Sequence, residues 1–233
     1  MATQAPRSVV VTAVIAALVT VVALAAVVAL RIERERADAE GNGALFGPAD
    51  DDAASACGDS PCGVLTSVPL GSTTVELLAD ADGGHGRVRV REPESDIVIE
   101  TALAAMGVRL SQNSLVCSLP EARVCLVRGR HDGGVVGEVF VGRDNWQPAE
   151  RPYFSSGGYI DLVNVSGDDS PEIVVAKEDC GSVAEECADA PIVVEVFALD
   201  GKSVGCTQPY GSLRELPGWP TVELAEGDMR GCG

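Results

Sequence analysis

The stretch richest in chemistry is NVSGDDSPEIVV at 164–175, an acidic, turn-forming loop that runs straight into an apolar segment. Calcium takes six to eight oxygen ligands, and side chains at alternate positions of a tight loop can converge on one centre. Asn164, Ser166 and Asp168 stand at the first, third and fifth positions, Glu172 stands at the ninth, and Gly167 permits the bend. Two carboxylates among four side chains imply weak binding. The same residue types also build an ordinary exposed turn, so the loop admits a calcium site or a purely structural bend. Candidates for catalysis are sparse. The two histidines, His85 and His131, lie in glycine-rich turns, no serine sits in a G-x-S-x-G elbow, and no phosphate-binding glycine loop is present. These residues assign no catalytic role.

In its spacing, the 164–172 loop resembles the metal-binding loop of FG-GAP and VCBS-type repeats, the integrin-like β-propeller blades with the pattern D-x-[DN]-G-D-G-x-x-[DE] before an apolar strand. The partial match spans about residues 159–178 and includes Gly167 at the fourth position. Asn164, Ser166 and Asp169 depart from it, replacing two ligands and a glycine. A degenerate copy around 75–92 offers Asp80 and Asp82 at positions one and three and Gly83 at four, with Gly84 and Val88 where acids belong. The resemblance implies Ca2+ as a cofactor and blade-like antiparallel sheets. VEVFALDGKSVG at 194–205 is similar to the outer hairpin of such a blade. A full propeller of four or more blades would strain the available length, so a blade-like fragment or a small sandwich is expected.

Short runs of β-branched residues separated by turn chemistry must carry these loops. The strands expected are 73–79, 87–92, 123–130, 135–143, 159–165, 172–178 and 191–199. His131-Asp132-Gly133-Gly134 and Asp200-Gly201 supply hairpin turns. The segment 97–110 reads as strand at its start and is ambiguous beyond Ala102, because its alanines favour helix. The loop NWQPAERPYF, with Trp146 and Tyr153, reads as core-packing aromatics before it reads as a contact surface.

Residues 8–30 form 23 uncharged residues, long enough as a helix to cross a hydrocarbon core about 30 Å thick. Their length and the charged RIERER that follows favour a retained anchor over a cleaved signal peptide. Residues 1–7 are then cytoplasmic, 31–56 a flexible acidic stalk, and 57–233 an extracytoplasmic β domain. A count of basic residues alone, Arg7 against Arg31, Arg34 and Arg36, favours the opposite orientation and does not settle it. Cysteine does: Cys57, Cys62, Cys117, Cys125, Cys180, Cys187, Cys206 and Cys232 all follow the run, and an even set suits an oxidising compartment. Eight cysteines allow 105 pairings. Spacing makes closure between sequence neighbours the simplest expectation, and no cysteine pair has a histidine at zinc-ligand spacing.

The fold class expected is therefore mainly β: a transmembrane helix, a stalk and a disulfide-stapled antiparallel domain. After residue 30 the chain holds sixteen basic residues against 35 acidic ones, a charge of −19 that repels phosphate backbones and argues against nucleic-acid partners. Two function classes fit. One is a membrane-anchored binding or scaffolding module for an extracellular protein or a cell-envelope ligand. The other is an extracytoplasmic hydrolase whose paired carboxylates carry no motif.

Overall fold

Apolar residues at alternating positions force the chain into strands that each need a partner face. The computed structural model describes residues 56–118, 123–143, 145–168, 170–180 and 190–232. The apolar run at 8–30, the stalk up to residue 55 and Cys187 lie outside the described residues. Among the described residues no helix is long and apolar enough to cross a membrane, and the helical pieces are three-residue 3-10 turns.

Three antiparallel meanders follow one another along the chain. The first joins β3 (Gly63–Leu70), β4 (Thr73–Ala79), β5 (Gly86–Glu92) and β6 (Ser95–Glu100), after a small β1 (Ala56–Cys57) and β2 (Ser60–Pro61) ribbon. The second joins β7 (Leu115–Ser118), β8 (Val124–His131) and β9 (Gly134–Gly142), and its outer rank is shared by β10 (Trp146–Pro148) and β11 (Tyr153–Ser155), which pair with opposite ends of β9. The third joins β12 (Ile160–Val163), β13 (Glu172–Glu178), β14 (Ile192–Phe197) and β15 (Ser203–Cys206). In each sheet the spatial order is the sequence order. Each link is therefore a hairpin or a short crossing, the simplest route for antiparallel strands.

The second sheet lies between the other two. Its Cys125, Val127, Val136 and Phe140 pack with Leu77, Val88 and Val90 of the first sheet. Its Val124, Leu126 and Val139 pack with Ile160, Ile173 and Val175 of the third. This two-sided burial explains why Val124–Val127 are all buried where a half-exposed strand would alternate. The far face of the third sheet is covered by the C-terminal segment through Leu216, Val222 and Leu224. Backbone bonds from Cys206 to Arg230 and from Ile192 to Tyr210 hold that segment on the sheet.

Gly137 is the glycine on which the sheet contact depends. A Cβ there would stand 2.9 Å from Leu126 Cδ1 and 3.3 Å from Ile160 Cγ2, so a larger residue would pry the second and third sheets apart. The β8–β9 hairpin turns on Asp132-Gly133, with Gly133 at φ 80°, as the HDGG pattern predicts.

Three cysteine pairs close as neighbours in sequence: Cys57–Cys62, Cys117–Cys125 and Cys206–Cys232. Cys180 is disulfide-bonded as well. Trp146 and Tyr153 are buried and belong to the core, whereas Phe154, next to Tyr153 on β11, is exposed. The 97–110 segment resolves into β6, then a 3-10 turn at Ala104–Met106, because Leu103 and Val108 are drawn into the core between the first two sheets.

Candidate functional site

The end of β8 carries the residues RGRH at 128–131, and strand alternation puts Arg128 and Arg130 on the same face as Val124 and Leu126, toward the third sheet. A single antiparallel bridge sets Arg109 directly opposite Arg130. Beyond that bridge the chain makes a 3-10 turn at Gln112–Ser114, closed by Ser111 N–H donating to Ser114 Oγ at 2.9 Å. With Gly158, Tyr159 and Ile160 at the entry to β12, these pieces enclose a cleft of about 850 Å3.

Its wall mixes charge with apolar surface. Arg109, Arg128 and Arg130 line it, with Met106, Leu110 and Val135, and among its described lining residues Asp132 is the one carboxylate. Arg128 donates to the Ile160 carbonyl and pairs with Asp161 at 3.0 Å, so its charge is balanced. Arg109 donates Nη1 to the Asp82 carbonyl at 3.0 Å, a bond that fixes its direction, and it has no ion pair among the described residues. Arg130 is exposed, and its side chain has no hydrogen bond or ion pair among the described residues. Tyr159 lines the cleft at the entry to β12 but is nearly buried, its ring packed on Trp219 with centroids 5.5 Å apart, and its hydroxyl donates to Asp161 Oδ2 at 3.3 Å. Burial, together with the neighbouring Asp161 charge, pushes the Tyr159 phenol up to about 12, so it remains a proton donor at neutral pH. His131 turns Nδ1 toward the Asp132 carbonyl at 2.9 Å and meets the edge of Phe154, with ring centroids 6.2 Å apart.

The calcium-type loop folds around its own amides. Asn164 Oδ1 accepts Gly167 N–H at 2.7 Å, Asp168 Oδ1 accepts Ser170 N–H at 2.8 Å, and Asn164 Nδ2 donates to the Asp168 carbonyl. Glu172 is buried, and its Oε2 accepts Val165 N–H at 2.7 Å and Ser166 N–H at 3.3 Å. Asn164, Ser166 and Asp168 are exposed around it. Of the degenerate loop, Asp80 accepts Gly84 N–H at 2.7 Å and lies 2.8 Å from His85 Nδ1. Burial of Asp80 works against its charge, but the bonds from His85 and Gly84 prevail and hold its carboxyl below the usual range. Asp82 contributes its backbone carbonyl to Arg109. The loop at 80–85 thus props one wall of the arginine cleft.

One further cluster, Glu195, Cys206 and Cys232, brings three potential metal-ligating atoms together, but both cysteines are consumed by their disulfide. A thiolate is needed to bind a soft metal, and none is left here.

The arginine cleft is the feature that residue patterns alone miss. The alternation in RVCLVRGR already puts Arg128 and Arg130 on one face. Arg109 lies 21 residues away across an irregular segment, and only the bridge reveals it as their neighbour. Set against known proteins, the chain matches no family model, no curated protein and no solved structure.

Proposed function

We propose that this chain is a membrane-anchored extracytoplasmic binding module without a catalytic role, held by residues 8–30 and displaying its β domain beyond an acidic stalk. The observation that carries the reading is the 850 Å3 cleft, a volume suited to a small-molecule ligand, with convergent polar groups set in an apolar wall. Three meanders stacked in chain order, each four ranks wide, support a blade-like relation to FG-GAP and VCBS-type repeats. Three neighbour disulfides support an oxidising compartment outside the membrane. Calcium at Asn164, Ser166, Asp168 and Glu172 belongs to the same reading as a weak structural ion bracing the β12–β13 loop.

The test is a thermal-shift screen of the full-length chain, in neutral detergent, against a library balanced in anionic, cationic and neutral fragments. Asn113→Trp serves as control, because Asn113 is an exposed lining residue and an indole there fills the cleft. Hits that stabilise the wild type and lose their effect in the variant support the module. A library in which every hit acts equally on both proteins overturns the cleft as its binding site. The anchor is tested separately by adding protease to intact cells, and survival of the C-terminal domain contradicts it.

A further inference from the structure

Taking the cleft as the binding site, we propose that its ligand is a small oxyanion, a carboxylate or phosphate on a compact apolar body, gripped between the guanidinium groups of Arg109 and Arg130.

The argument begins with a pairing that costs the fold stability. Residues directly opposite on antiparallel strands bring their side chains close, and like charges there repel. The bridge sets Arg109 opposite Arg130 in a chain with 35 acidic and 17 basic residues, where a carboxylate partner is the statistically easy solution. Elsewhere the fold takes that solution: Arg89 pairs with Glu76, Arg91 with Glu76 and Asp96, and Arg123 with Glu92. Arg109 spends one donor on a carbonyl, and Arg130 has no partner among the described residues. Two uncompensated guanidinium groups therefore share one wall, with the third arginine of that face neutralised by Asp161.

A planar guanidinium offers a fork of donors matched to the two oxygens of a carboxylate or phosphate, and two such forks can share one anion. Ser111 and Asn113 line the same cleft and bring neutral polar groups to it. Met106, Leu110 and Val135 give an apolar surface beside them, where a non-polar body can rest. The charge of −18 over the whole chain repels a polyanion, so a single oxyanion group fits the local field and a nucleic acid or acidic polymer does not.

The experiment is calorimetry and thermal shift on the full-length chain in neutral detergent, at ionic strength fixed with NaCl. The probes are inorganic phosphate, phenyl phosphate, acetate and benzoate. The expected result is saturable one-to-one binding, with each aryl probe tighter than its parent anion; whether the phosphates or the carboxylates lead identifies the source of the oxyanion. Arg130→Met should weaken binding about tenfold or more, since a hydrogen-bonded charge is lost. Arg130→Lys keeps the charge without the fork and should fall between. Because Arg130 is exposed and opposes Arg109, the ligand-free melting temperature of Arg130→Met should equal or exceed that of the wild type, which a structural role for this arginine would not allow. No heat and no shift beyond the NaCl control overturns the oxyanion, as does undiminished binding by Arg130→Met. If neutral or cationic fragments alone bind in a way that Asn113→Trp abolishes, the anion inference falls while the cleft stands as a binding site. If nothing binds there, both fall.

Discussion

Glu76 and Arg89 are register partners on β4 and β5, and their pairing makes a sharp test of how this fold handles buried charge. Arg89 Nε and Nη2 lie 2.7 and 2.6 Å from Glu76 Oε2, and the two side chains are 2% and 11% exposed. The arrangement is asymmetric. Arg91 Nε stands 3.5 Å from the same Glu76 oxygen, so Glu76 keeps some compensation when Arg89 is removed. Among the described residues Arg89 has no second carboxylate, and its Nη1 is buried without a hydrogen-bond partner. Breaking a buried pair costs about 3–5 kcal/mol because the survivor is left desolvated. Glu76→Leu should therefore fall at about 5 kcal/mol and Arg89→Met nearer about 3 kcal/mol. The double variant removes both desolvation penalties and should lie within about 1 kcal/mol of the wild type, or above it. Equilibrium urea unfolding of the full-length chain with its disulfides intact measures all four corners of the cycle. Additive single effects, with the double variant down by about 8 kcal/mol, would refute the claim that these charges are coupled and buried.

Glu138 is buried on β9 with the Ala102 N–H at 2.8 Å as its bond, and burial holds its carboxyl above the usual 4.5, that bond only partly opposing it. A raised acid favours the folded state below the ordinary glutamate range and loses that contribution as pH rises through its folded value, so the stability of Glu138→Gln relative to the wild type should grow as pH rises above the ordinary glutamate range; parallel urea midpoints at every pH would count against it. Removing the Cys206–Cys232 bridge, with a separation of 26 residues, should cost about 3.5 kcal/mol against about 2 kcal/mol for Cys57–Cys62 at a separation of 5, checked by paired alanine variants in the same unfolding assay. Calcium should raise the melting temperature with a midpoint of about 0.1–1 mM, and Asp168→Ala should abolish the rise while costing about 1 kcal/mol through the lost Ser170 bond. A wild type indifferent to millimolar calcium leaves that loop a turn capped by its own side chains.

Much of the strand content could be read directly because period-two alternation and turn residues act locally. TTVELLA and EIVVAKE coincide with β4 and β13 residue for residue, and the HDGG hairpin falls where its glycine requires. The strands at Gly63–Leu70 and Leu115–Ser118 were not legible. Gly63–Leu70 carries a proline and a bulge, and Leu115–Ser118 is too short for alternation to register. YIDLVNV shortens to Ile160–Val163 because Asn164 begins the turn hydrogen bonds of the loop. Neighbour closure of three disulfides followed from hairpin-scale spacing, and Cys117 and Cys125 are cross-strand partners on β7 and β8. The cleft was invisible for a different reason: it depends on one isolated bridge between Arg109 and Arg130, a contact with no periodic signature. The 164–172 loop, the closer match to a calcium pattern, directs its oxygens to its own amides, while the degenerate copy at 80–85 turns a backbone carbonyl toward Arg109.

The most direct test of the cleft as an oxyanion site is to follow the arginine Nε–H resonances of the 15N-labelled full-length chain while titrating phenyl phosphate and benzoate. The account predicts saturable shifts at Arg130 and Arg109, with Arg89 and Arg123, already paired to Glu76 and Glu92, unmoved. Small, unsaturating shifts spread evenly over all the arginines would contradict it.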